Sequence, residues 1–457
     1  MLTWKILLMS LIALACHTER HEPVPVSPDE PRKLIQYGTP FAAVPDPQNV
    51  VLYEINIRAF SASGDFGGVL DKLDHIKSLG INTIWLMPIH PVGQERSAGG
   101  LGSPYAVKNY FDVNPEFGDL QQFRDLVQAA HDRNIAVIMD WVANHTAWDN
   151  PWMRDKSWYT QDAGGNVIVP PGTNWQDVAE LNFDNHDMRK AMIYAMKYWV
   201  IEANVDGFRC DAVDFVPADF WSQALGELKS IPGRKLILLA EGGKPENFSA
   251  GFQMNYAWDF YTTLKAVYKG GSAQSIFVTH EAEYKSIPAG TVKLRYTTNH
   301  DESAWEATPV EIFGSLNAAI SASAITIFTS AAPLIYSSQE VGRLERLPFF
   351  TRDPIDWNEN PAVLQRYEKI LSIYNSSQAF TKGELKNYPH EHLAIFTRTK
   401  ADEQYLILVN VRNAEKTWVV DPELKDSSWR RADDDTTYAL GDSVTLLPFE
   451  FMVLKRE

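Results

Sequence analysis

Short apolar runs recur from residue 50 onward, most of them followed by polar residues and then by apolar positions at helical spacing. Val50 to Ile55 is the first run, and Val69, Leu73 and Ile76 then recur at steps of three and four, with Gly80 as a stop. Ile81 to Met87 follows, then a helix on Leu120, Phe123, Leu126, Val127 and Ala130 that Asp119 and Gln122 open as a capping box. Ile135 to Met139 is the third run. A helix capped by Asn185 and ending near Ala203 leads into the fourth, Gly207 to Asp211. Leu236 to Ala240, the weaker Phe252 to Tyr256, Val292 to Thr297 and Ala332 to Tyr336 complete the set. Eight buried strands with helices between them predict parallel strands closed into a (β/α)8 TIM barrel. An open doubly wound sheet is the alternative, but no G-x-G-x-x-G follows the first strand.

Two stretches break the alternation. Residues 145–184 lack helical period and are rich in Trp, Pro, Gly and Asn, which predicts an excursion after the third strand that folds over the barrel top. Beyond about Ser377 the pattern turns to strands alone, predicting a C-terminal antiparallel β-sandwich over 378–457. The barrel itself is then expected over 50–377.

The N-terminus is of another kind. One Lys precedes the apolar residues Ile6 to Met9 and Leu11 to Ala15, the layout of a signal peptide. Ala13, Leu14 and Ala15 satisfy ordinary cleavage, and followed by Cys16 they also resemble a bacterial lipoprotein box. The second reading is preferred, because a free N-terminal Cys in an oxidising compartment otherwise has no purpose. Residues 1–16 are thus expected to be the signal and lipid-attachment segment of an extracytoplasmic, membrane-anchored protein. A soluble periplasmic or secreted form is the alternative. Residues 17–49 carry seven prolines and are expected to form an extended tether.

Composition narrows the partners. The formal charge is −16, which argues against nucleic acid and anionic membrane surfaces and leaves neutral ligands open. Trp, Tyr and Phe make up 12% of the chain, and several lie in loop-like stretches where they can stack on sugar rings.

In such a barrel the chemistry gathers at the C-terminal strand ends. Those ends carry Asp140, Asn144 and His145; Arg209 and Asp211; Glu241; and Asn299, His300 and Asp301. Arg209 and Asp211 share one face of their strand and Cys210 takes the other. The cation should hold Asp211 ionised, whereas Glu241 follows Leu239 and Ala240, an apolar setting that favours its acid form. A bare Arg–Asp pair is as easily structural, but polar groups at four strand ends are not needed for packing. His145 and His300 lack the third ligand of a catalytic zinc, and no G-x-S-x-G elbow is present. Paired carboxylates with Arg and His neighbours suit glycoside hydrolysis, where one attacks and the other, protonated, assists the leaving oxygen.

These residues carry a resemblance. Asp140 to His145, Gly207 to Asp211, Leu239 to Glu241 and Thr298 to Asp301 match, in order, the motifs of the α-amylase family of retaining glycoside hydrolases. Gly80 to Ile89, Ser103 to Tyr105 and Val113 to Gly118 add support. The resemblance implies Asp211 as nucleophile, Glu241 as acid and then base, and Asp301 as stabiliser of the distorted sugar. It implies Arg209 as the group orienting Asp211, with Tyr105, His145 and His300 on the sugar and Asp140 in or behind the same substrate-binding set. Asn144 and Glu180 are the oxygen donors it would offer a structural Ca2+. The implied substrate is an α-glucan cut at α-1,4 bonds. A 4-α-glucanotransferase or cyclomaltodextrinase-like enzyme is the alternative, and a non-catalytic surface glycan-binding protein is the rival of another class. The chain departs from the pattern where many relatives carry Lys-His after the nucleophile; here Asp214 and Phe215 stand. Asn109 and the run Ala179 to Asn182 depart as well.

Overall fold

A computed structural model describes residues 32–457 apart from 286, 330, 331 and 426. The signal segment and Cys16 lie outside the described residues, as does the first half of the expected tether. Among the described residues no helix is long and apolar enough to cross a membrane.

Eight strands close into the expected barrel: β1 (Leu52–Ile55), β2 (Thr83–Leu86), β3 (Ala136–Val142), β4 (Gly207–Asp211), β5 (Ile237–Ala240), β6 (Met254–Tyr256), β7 (Val292–Arg295) and β8 (Ala332–Tyr336). Neighbours pair in parallel, and β8 returns to β1 with Leu52 opposite Leu334 and Glu54 opposite Tyr336. Alternation sorts the side chains into two layers. Leu52, Trp85, Ile138, Leu239 and Leu294 fill the barrel, while Tyr53, Ile84, Met139, Phe208 and Cys210 pack on the surrounding helices. Gly207 opens β4 with φ of 145°, and a Cβ there would meet Ile237 O at 1.9 Å. Only glycine lets β4 approach β5 so closely.

The helix signals fold as their residues dictate. Asp119 accepts from Gln122 N and Gln122 returns the bond, closing the capping box of Leu120–Asp132. Asn185 caps His186–Glu202 by accepting from Asp187 and Met188. The apolar stripe on Val69, Leu73 and Ile76 spans two short helices, Phe66–Leu70 and Leu73–Ser78, rather than one.

The excursion holds an antiparallel pair, His145–Ala147 against Val178–Glu180, packed around Trp152, Trp158 and Tyr159. After the helix Gln378–Lys382, a six-stranded antiparallel sheet and the pair Lys416–Val419 and Ser443–Leu446 enclose a separate core that includes Leu393, Leu406, Trp418 and Trp429.

The described part of the proline-rich stretch is not a tether. Arg32 pairs with Glu202, Tyr37 N donates to Ile201 O at 2.9 Å, and Asn204 Nδ2 donates to Thr39 O at 2.9 Å. Phe41 stacks on His131 with centroids 4.4 Å apart, and Val44 is buried with the barrel interior. Apolar side chains between the prolines strap this segment across the end of the barrel opposite the strand C-termini.

Candidate active site

The C-terminal ends of the strands open into a cleft of about 650 Å³. Tyr105, His145, Asp211, Glu241, His300 and Asp301 line it, as the sequence predicts. Asp140 and Arg209 do not. Both are fully buried beneath the cleft floor, so they reach a ligand only through their neighbours. Asp140 lies within β3 rather than at its end, opposite Arg209 of β4.

Arg209 organises the floor. Its Nη1 lies 2.9 Å from Asp140 Oδ1 and 3.0 Å from Asp211 Oδ1, and its Nη2 lies 2.8 Å from Glu241 Oε1. The last contact is an ion pair without hydrogen-bond alignment. Trp85 beneath and Tyr256 beside the guanidinium complete its cage at 4.9 and 5.8 Å. Burial works against its charge, but Asp140 and Glu241 outweigh it and keep the guanidinium protonated.

The expected split between the two carboxyls is corrected here. Burial, then the charge of Glu241, push Asp211 well above the usual carboxylate range despite Arg209. Burial also raises Glu241, opposed by Arg209 and by the N–H of Ala212, which donates to Glu241 Oε2 at 2.7 Å. One guanidinium is shared among three carboxyls, so it cannot single out Asp211. The two groups titrate as a pair.

The imidazoles differ. Burial pushes His145 down to about 4, so it is a neutral hydrogen-bonding group. His300 is also buried, yet Asp301 and Glu54 outweigh that penalty and raise it to about 9. Tyr105 Oη donates to Asp140 Oδ2 at 2.9 Å, and its ring stacks on His300 at 5.3 Å. Asp301, with a half-exposed side chain, opens a π-helical turn, Glu302–Glu306, the kind of irregularity common at functional sites.

Among the other cleft residues the sequence marks Ser103 only as part of a supporting motif, and Asp214 and Phe215 only as departures from the family pattern. Trp175, Phe215, Trp258, Trp305, Phe349 and Phe350 form an aromatic rim. Apart from the adjacent Phe349 and Phe350 they come from distant parts of the chain, and no local pattern announces that these meet. Phe215 is 54% exposed and Trp258 38% exposed, so flat faces are available to a ligand. Asp214 also lines the cleft, with Oδ2 accepting from Gly243 N at 3.2 Å.

Asn144 and Glu180 are neighbours in space, since His145 pairs with Glu180 and Asn144 O accepts from Leu181 N. Asn144 turns its amide nitrogen toward His145 Nδ1 at 3.3 Å, however. Among the described residues no group of three His, Cys, Asp or Glu is arranged to hold a metal ion. Calcium takes six to eight oxygens, and these two residues alone do not fit that requirement.

Known proteins resemble this chain. The chain is 27% identical over 443 residues to "Alpha-amylase MalA" of Haloarcula japonica, covering 90% of this chain and 63% of that one. It is 25% identical over 467 residues to "Alpha-amylase 3" of Dictyoglomus thermophilum, covering 83% and 88%. Among solved structures, the maltogenic alpha-amylase AmyB of Thermotoga neapolitana superposes with a TM-score of 0.80 at 26% identity, over 90% of this chain and 99% of that one. The model of the alpha amylase catalytic domain matches residues 41–167 and 172–376, and the chain belongs to the alpha-amylase family of glycoside hydrolases.

Proposed function

We propose that the protein hydrolyses α-1,4-glucosidic bonds in starch or maltooligosaccharides by double displacement. Asp211 attacks the anomeric carbon, Glu241 protonates the leaving oxygen and then activates water, and Asp301 holds the hydroxyls of the distorted sugar. The observation that carries this reading is the single guanidinium of Arg209 touching both Asp211 and Glu241. That contact favours the short carboxyl spacing of retaining enzymes, about 5–5.5 Å, over the wide spacing of inverting ones. With both carboxyls raised by burial, the pair holds a proton closer to neutrality than free carboxyls do, and the mechanism requires that proton on Glu241.

The lining supports a neutral substrate. Its acidic residues are Asp177, Asp211, Asp214, Glu241 and Asp301, beside His300 and the neutral His145, and among the described residues no Lys or Arg lines it. Phosphorylated or acidic sugars would meet repulsion there. The test is reducing-sugar release from soluble starch, with the anomer first formed followed by NMR. An α-product that mutarotates supports retention; binding of starch with no release of sugar would instead support the glycan-binding reading.

One observation favours a second reading. Phe215 and Trp258 line the same cleft as the acid–base residue with exposed faces, so a sugar can remain in the cleft beside the glycosyl-enzyme and compete with water. Products longer than the substrate, formed from maltoheptaose, would mark a 4-α-glucanotransferase, and rapid opening of cyclodextrin a cyclomaltodextrinase-like enzyme.

Location is part of the same reading. Lipid attachment at Cys16 anchors the protein outside the cytoplasm. Cys16→Ser should move it from membranes to the soluble fraction, and a native protein already soluble after cell breakage would favour ordinary cleavage after Ala15.

A further inference from the structure

His300 meets a different partner on each ring nitrogen. Nδ1 lies 2.5 Å from Glu54 Oε1, and Nε2 lies 2.7 Å from Tyr105 Oη and 3.3 Å from Asp301 Oδ2. Tyr105 has one hydroxyl proton, and it goes to Asp140 Oδ2 at 2.9 Å, since Asp140 accepts from Trp85 and Arg209 as well. The Tyr105 oxygen can therefore only accept from Nε2. Asp301 meets Nε2 as an ion pair rather than a hydrogen bond, and Glu54 accepts at Nδ1. Both ring nitrogens face acceptors, and only the doubly protonated ring satisfies them all.

Glu54 sits on β1 between Tyr53 and Ile55, which face the helices, so its side chain enters the barrel. It is fully buried, its Oε2 has no hydrogen-bond partner among the described residues, and burial raises it; His300 first, then the charge of Arg209, opposes that. Such a buried carboxylate is costly unless a charge is paired with it.

We propose that Glu54 is a positioning residue of the reaction: from β1 it keeps His300 doubly protonated, so that Nε2 holds Asp301 and Tyr105 in place for the sugar at the nucleophile. The consequence for catalysis rests on the reading of Asp301 and Tyr105 as sugar-binding groups, whereas the charge on His300 does not. The groups facing the ring are Glu54 from β1, Tyr105 and Asp301 from the loops, and Trp85 edge-on from β2 at 5.6 Å; Arg209 from β4 opposes the charge. Burial opposes it as well, and Asp301 and Glu54 prevail, raising the imidazole to about 9.

Glu54→Gln keeps the shape and removes the charge, because the amide can donate to an unprotonated Nδ1. The protein labelled with 15N-histidine, without substrate, gives the titration of His300, assigned by loss of its signals in His300→Gln. A wild-type midpoint above 8 that falls below 7 in Glu54→Gln supports the proposal. A wild-type midpoint below 7 overturns it without any variant, and an unchanged midpoint in Glu54→Gln overturns it equally. The kinetic readout is KM for maltotriose: the ratio of Glu54→Gln to wild type should grow about tenfold from pH 6 to pH 8, as the neutral imidazole replaces the charged one. A ratio that is flat with pH means a structural role and overturns the proposal. Absence of turnover in the wild type would defeat the hydrolase reading while leaving the titration intact.

Discussion

The main-chain N–H of Ala212 donates to Glu241 Oε2 at 2.7 Å, so the residue after one carboxylate of the pair holds the other. Glu241→Gln can keep that bond through its carbonyl oxygen while losing the transferable proton. We expect Glu241→Gln and Asp211→Asn each to lower kcat by about 10²–10⁴-fold or more, with circular dichroism unchanged. Both should also melt at a higher temperature than wild type. Their carboxyls are raised by burial and, for Asp211, by the charge of its neighbour, so ionising them at neutral pH destabilises the fold. Calorimetry at pH 7 checks this, and a lower melting temperature in both variants would contradict it.

Arg209 cannot be replaced by lysine. It contacts Asp140, Asp211 and Glu241 from one planar group in full burial, and an ammonium on a shorter reach cannot match that fork. Arg209→Lys should cost about 3–5 kcal/mol in urea unfolding, the range for breaking a buried charge pair, together with most of the activity. A loss under 1 kcal/mol would mean that the remaining contacts re-form around the lysine.

His90 is a buried neutral imidazole, pushed down to about 4 by burial and packed against Trp141 and Trp199. Its unfolded form binds a proton below about pH 6.5, which the folded form refuses until about pH 4. Its contribution to stability is therefore fully present above about pH 6.5 and is lost as the pH falls toward 4. Between these limits the stability of wild type should fall faster than that of His90→Asn by about 1.4 kcal/mol per pH unit. Parallel stability curves for the two proteins would show that His90 takes up its proton without unfolding.

Cys210 lies between Arg209 and Asp211 but faces the helices, fully buried, and burial pushes its thiol well up. It should resist thiol reagents in the folded protein. Cys210→Ala should cost about 1–2 kcal/mol with activity largely retained. Rapid labelling that maltotriose blocks would put the thiol in the cleft instead.

Much of this was legible in the chain because two local rules suffice for it. Alternation puts Arg209 and Asp211 on one face, and the polar residues just beyond apolar runs mark the barrel top. What failed depends on distances no local pattern contains. Arg209 reaches Glu241 as well as Asp211, which undoes the expected division of charge. Glu54 is visible as a carboxylate inside an apolar run, yet its meaning depends on His300, 246 positions away. The prolines before residue 50 masked Phe41 and Val44, whose burial decides how that segment lies.

That strap has a practical consequence. Arg32, where the described chain begins, pairs with Glu202 at the end of the barrel remote from the cleft. A support or tag attached upstream of Arg32 therefore joins the catalytic body at its back. Immobilised that way, the protein should keep its entrance clear, so that large insoluble granules meet the cleft and not the support.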